Sequence, residues 1–187
     1  MPKHRDFKKK MKAFIVLGPE NSGTRFLTNI LIKAGCLGQD THEQDFDELV
    51  PRANGKHLVW RRSVPHGDSW VDLDKIIYQA RYANFAPFII VNMREWHSLI
   101  NSQANNFAFD KDVALNRIRA ATLHIFDSID KLKNVPFIVV TYESIVYNPA
   151  SINRLLEFIG LNRIDNFDFI YDGNVKHYQH ESASRGC

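Results

Sequence analysis

Residues 13–31, Ala13 to Leu31, constrain the fold more than any other stretch. Phe14 to Leu17 form a short apolar run that suits a buried strand. Gly18, Pro19 and Gly23 then punctuate a turn, and Phe26, Leu27, Ile30 and Leu31 fall at helical spacing. A strand that enters a helix through a glycine-bearing loop makes a phosphate cradle. Loop amides converge on one point, and the helix N-terminus adds partial positive charge. The chain is therefore expected to bind a phosphorylated ligand near residues 18–25.

The spacing separates this loop from that of the nucleoside triphosphatases, which reads G-x-x-x-x-G-K-[ST]. Here Gly18 and Gly23 frame the loop, but Thr24 and Arg25 follow, so the lysine that reaches the terminal phosphates is missing. That counts against triphosphate hydrolysis.

The rest of the chain alternates strands and helices. Strands are expected at 13–17, 57–62, 87–92 and 136–141. Helices are expected at 23–35, 72–83, 95–105, 111–132 and 149–159, with an acidic polar stretch at 39–52, loops at 63–71 and 142–149, and a tail from 162. This order predicts a single α/β domain, 13–187, with a parallel central sheet flanked by helices. Phe88 to Val91 and Phe137 to Val140 are continuous apolar runs, expected as interior strands covered on both faces. In such sheets ligands gather at the carboxyl ends of the strands, which places loop 18–25, loop 61–68 and the turns at 92–95 and 141–144 together.

Three segments, in order, resemble the sulfotransferases that use 3′-phosphoadenosine-5′-phosphosulfate as donor. The first is Ser22-Gly23-Thr24 before an apolar helix, similar to the loop that grips the donor's 5′ phosphosulfate. The second is Arg94, just past the third strand, with Ser102 eight residues later, matching the pair that holds the 3′ phosphate. A guanidinium offers that phosphate forked, charge-assisted hydrogen bonds. The third runs from Tyr142-Glu143 through Pro149 into a helix ending Phe158-Ile159-Gly160-Leu161, where Gly160 stops the helix. Tyr142 and Glu143 read there as packing and loop-bracing groups.

The resemblance implies a P-loop-like sulfotransferase architecture. It also implies transfer of a sulfuryl group to a hydroxyl or amine, with a small-molecule or glycan acceptor and no metal. Asn21, Ser22, Gly23, Thr24, Arg25, Arg94, Ser102 and, in the tail, Lys176 are the expected donor-binding residues. The family places a lysine where this chain has Asn21, so Arg25, Arg61 or Arg62 would supply the positive charge. Val59 to His66 resembles the stretch that carries the family's histidine base, but Ser63 stands at the histidine position. His66 is the candidate base, because imidazole exchanges protons near neutral pH. Glu20 is its rival and Asp68 a weaker third. A kinase or hydrolase with a degenerate loop, or a non-catalytic nucleotide-binding module, is the alternative.

Charge and composition add bounds. Net charge is +3, and the first twelve residues hold Lys3, Arg5, Lys8, Lys9, Lys10 and Lys12, read as a solvated flexible arm with no nucleic-acid role. No apolar run approaches the roughly 20 residues of a membrane span, and no signal-peptide core follows the basic start. A cytoplasmic protein is expected. Cys36 and Cys187 are too few for a disulfide framework or a zinc site.

Overall fold

The computed structural model describes residues 10–39 and 45–174. Residues 1–9, which hold most of the expected basic arm, lie outside that range, as does the tail from residue 175, Lys176 included. Four strands, β1 (Lys12–Pro19), β2 (Leu58–Val64), β3 (Ala86–Met93) and β4 (Phe137–Thr141), form one sheet in the order β2-β1-β3-β4. Every pairing is parallel. The helices are α1 (Thr24–Lys33), α2 (Phe46–Leu49), α3 (Leu73–Tyr82), α4 (Trp96–Phe107), α5 (Lys111–Lys131), α6 (Tyr142–Val146) and α7 (Ala150–Ile159). Among the described residues no helix is long and apolar enough to cross a membrane.

Strand periodicity splits the core into two layers. Ala13, Ile15 and Leu17 of β1 face one cluster with Phe46, Trp60, Ile77, Ile89 and Ile125. Phe14 and Val16 face the other, with Leu27, Ile30, Phe88, Ile152 and Leu156. β1 is buried from Ala13 onward because both faces are covered, and its sequence is accordingly an apolar run rather than an alternation.

The chain leaves β1 toward β2 on one side and then crosses to β3 on the other. The strand order therefore reverses at the crevice between the carboxyl ends of β1 and β3, the position where ligands bind in open α/β sheets.

Two expectations need correction. β4 is an edge strand and not an interior one. Ile138 and Val140 pack into the second cluster, but Phe137 is 49% and Val139 43% exposed. Helix α5 lies against β1, and that face of β4 is only half covered. A continuous apolar run cannot by itself distinguish an edge from the interior. Segment 142–149 is not all loop either: α6 forms at once after β4, with the Thr141 hydroxyl accepting from the Ser144 amide at 3.3 Å as its N-cap.

Cys36 sits buried just past the end of α1, and burial pushes its thiol up to about 12. In a Cys187→Ser background at pH 8, iodoacetamide should label Cys36 readily in denaturant and at least about tenfold more slowly in the folded protein, because the thiolate is the nucleophile. Equal rates would place Cys36 in solvent.

Candidate functional site

The loop after β1 is shaped from outside itself. Three successive carbonyl oxygens accept from side chains of β3, its turn and α4: Glu20 from Gln103 Nε2 (2.9 Å), Asn21 from Arg94 Nη1 (2.8 Å) and Ser22 from Asn92 Nδ2 (2.6 Å). Because the peptide unit is planar and trans, drawing the Ser22 carbonyl toward Asn92 turns the Gly23 N–H the opposite way. Asn21 (φ 67°) and Gly23 (φ 93°) both adopt the left-handed conformation, which asparagine and glycine accept most readily. Gly23 is the N-cap of α1, and no side chain caps the amides of that helix's first turn. The result is an uncapped helix N-terminus behind a concave run of backbone, a ready anion seat.

Two clefts flank this loop. The first, about 310 Å³, is lined by Asn21, Gly23, Thr24 and Arg25 of the loop, Arg61 and Ser63 of β2, Arg94 after β3, and Ser102 and Asn106 of α4. It unites seven of the residues expected from the sequence. Arg61 is buried midway along β2 and Arg94 just past the end of β3, and both line one small space. The second cleft, about 370 Å³, shares Gly23, Arg25 and Arg94 and adds Phe26, Asn29, Lys33, Tyr142, Phe169 and Tyr171. One cleft is thus polar and cationic, the other aromatic, and Arg94 borders both.

Arg94 is 8% exposed. Its Nε donates to Asn174 Oδ1 at 2.7 Å, Nη2 donates to the same oxygen, and its plane lies 4.9 Å from the centre of the Tyr142 ring. Among the described residues no carboxylate pairs with it. A buried charge left uncompensated is costly, and an arriving anion would supply the counter-charge. Tyr142 closes the far side. Its hydroxyl accepts from the Gly173 N–H (2.7 Å) and donates to the Tyr171 carbonyl (3.2 Å), and burial raises its pKa above the ordinary phenol value. It stays neutral and keeps both bonds. Tyr142 and Glu143 do brace, but Tyr142 also walls the second cleft.

The remaining expected residues lie elsewhere. The Ser22 side chain is fully buried and packs against Gly18, with its hydroxyl turned under the loop. Glu20 is buried and accepts from the Gly67 N–H at 3.0 Å, with Arg117 Nη2 3.6 Å from its other oxygen. Arg117 in turn donates to the Gly67 carbonyl at 2.9 Å and lies over the Phe109 ring. Glu20 therefore pins loop 63–71 and α5 to the loop after β1. His66 is exposed beside this brace, in a short bridge with Ser69. Neither Glu20 nor His66 lines the two clefts.

Solved structures with this architecture exist. One is the sulfotransferase domain from the curacin biosynthetic pathway, similar with a TM-score of 0.60 at 12% identity over 88% of this chain and 79% of that one. This chain has the sulfotransferase fold. A second sulfotransferase domain, from the Synechococcus PCC 7002 olefin synthase, matches with a TM-score of 0.56 at 13% identity, covering 94% of this chain and 85% of its own. No family model and no curated protein matches the sequence.

Within that sulfotransferase fold, several working residues carry no sequence signal. Asn92 and Gln103 hold loop carbonyls and Asn174 holds Arg94, each across 70 or more residues. Phe26 had a signal, its place two residues after Thr24 on the first turn of α1, but it reads there as core. It meets Tyr142 edge-on at 5.5 Å across the second cleft.

Proposed function

We propose that this chain is a sulfotransferase that takes 3′-phosphoadenosine-5′-phosphosulfate as donor and a hydroxyl or amine of a small molecule or glycan as acceptor. The observation that carries this reading is Arg94, a buried guanidinium without a carboxylate partner at the border of a cationic and an aromatic cleft. A ligand with an aromatic base and two separate anionic groups suits that pair of spaces. The base would lie among Phe26, Tyr142 and Phe169, the 3′ phosphate against Arg94 and Ser102, and the phosphosulfate at the amides of loop 21–25.

Transfer forms a bond from the acceptor oxygen or nitrogen to sulfur and breaks the bond from sulfur to the bridging phosphate oxygen, which leaves with the electron pair. Charge spreads over the sulfuryl oxygens and the departing phosphate. The groups suited to stabilise it are the Gly23 and Thr24 amides, with Arg25 and Arg61, which line the same cleft. Arg61 and Arg25 would replace the family's lysine at position 21. The acceptor proton would pass to His66, exposed at the edge of this region, because the Glu20 carboxylate already serves Gly67 and Arg117.

The test is thermal unfolding with ligand. A ligand at 100 times its Kd that binds only the folded state adds about 2.7 kcal/mol of stability. For a chain of this size that corresponds to a rise in Tm of about 5–10 °C. 3′-Phosphoadenosine-5′-phosphate should give such a rise, and ATP with magnesium a smaller one. A larger, magnesium-dependent rise with ATP would identify a kinase or hydrolase instead.

A further inference from the structure

We infer that Asn174 is the positioning residue that aims Arg94 and keeps its charge available to an anion. The inference rests on the reading above, that Arg94 receives an anionic group of the ligand.

The geometry around Asn174 admits one amide orientation. Its Nδ2 donates to Glu143 Oε1 at 3.2 Å, while its Oδ1 receives Nε and Nη2 of Arg94. An ionised carboxylate only accepts and a guanidinium only donates, so the oxygen must face Arg94 and the nitrogen Glu143. Glu143 is itself fixed, since the same oxygen accepts from the Glu95 N–H at 3.1 Å. The backbone is pinned as well. The Asn174 N–H donates to Asp172 Oδ1 (2.8 Å), Tyr147 donates to Asp172 Oδ2 (3.0 Å), and Tyr142 holds Gly173. Asn174 is fully buried, although it sits 80 residues from Arg94 in the chain.

Counting donors shows what this leaves. Arg94 has five N–H groups. Asn174 takes one from Nε and one from Nη2, and the Asn21 carbonyl takes one from Nη1. One N–H on each terminal nitrogen remains for a ligand. The choice of an amide over a carboxylate matters for the same reason. An aspartate would fit the space but would cancel the charge that draws a phosphate. An amide orients the guanidinium and leaves its charge intact. The Glu143 carboxylate is bonded to the other end of the same amide.

The experiment compares wild type, Asn174→Asp and Asn174→Ala by calorimetry and thermal unfolding, with three probes: 3′-phosphoadenosine-5′-phosphate, adenosine-5′-phosphosulfate and inorganic phosphate. Asn174→Asp should weaken the bisphosphate about tenfold or more, the scale of one charge-assisted contact. Adenosine-5′-phosphosulfate, which lacks the 3′ phosphate, should change by less than about threefold on the same scale. Inorganic phosphate should stabilise wild type and leave Asn174→Asp unchanged. Asn174→Ala should weaken the bisphosphate by a smaller factor, and it reads the same ratio if the aspartate variant folds poorly. Tighter bisphosphate binding by Asn174→Ala would overturn the inference, because the amide would then be competing for the phosphate's place. Equal losses for both nucleotides would overturn it too, by showing a role in folding alone. If wild type binds neither nucleotide, yet inorganic phosphate stabilises it and not Asn174→Asp, the donor assignment fails while the role of Asn174 stands.

Discussion

Arg94→Met is expected to weaken binding of 3′-phosphoadenosine-5′-phosphate by about 10- to 100-fold, the equivalent of roughly 1.5–3 kcal/mol for a charge-assisted hydrogen-bonded contact. Methionine keeps much of the buried stem volume, so the change isolates the guanidinium. Adenosine-5′-phosphosulfate should lose far less, since it offers nothing to the 3′ position. The effect on stability is more balanced. Asn174 Oδ1 and the Asn21 carbonyl lose their donors, which costs, but a buried charge without a counter-ion is also removed, which stabilises. Titration calorimetry with both nucleotides reads the affinity ratio directly. A ratio unchanged from wild type would show that Arg94 does not distinguish the 3′ phosphate.

Gly18→Ala is expected to produce the largest loss of stability of any single methyl added to this chain's loop. Gly18 does not need glycine for its dihedral angles; it needs the space. A Cβ there would stand 2.3 Å from the Ser22 hydroxyl and 2.4 Å from the Asn92 carbonyl oxygen. The hydroxyl could rotate, but the carbonyl belongs to the backbone of β3, so the ends of β1 and β3 would have to part. Overpacking of this kind costs about 1–3 kcal/mol. For a chain of this length the loss corresponds to a fall in Tm of about 2–12 °C. The same movement would lengthen the bond from Asn92 to the Ser22 carbonyl and open the crevice, so nucleotide binding should fall by more than the stability change alone explains. A Tm within about 1 °C of wild type, with nucleotide binding intact, would show that the two strand ends separate freely.

The local part of this site was legible in the sequence. The run Phe14 to Leu17, the glycines and the helical spacing from Phe26 announce β1, the loop and α1 within a few residues of their observed bounds. Arg94 and Ser102 are expected from the resemblance to the sulfotransferase pair, and both line the first cleft. In each case one continuous segment carries the signal. What was hidden depends on separations that periodicity does not encode. Asn174 reaches Arg94, Arg117 reaches Glu20, and Gln103 reaches the Glu20 carbonyl from different elements. Nothing in an isolated asparagine or glutamine marks it as a brace. β4 departs from its expectation for a related reason: its edge position follows from the strand order, which its own five residues do not record.

The loop is gripped by its carbonyl oxygens, and every residue type has one. Gln103, Arg94 and Asn92 hold positions 20–22 without reference to the side chains there. The mould and the cast are thus written in different parts of the gene: curvature in β3 and α4, chemistry in the loop. A residue at position 21 that tolerates the left-handed backbone can replace a lysine without the cradle losing its form. That separation explains how Asn21 can stand in the loop of this fold; on the proposed reading, Arg61 on a neighbouring strand would supply the cation.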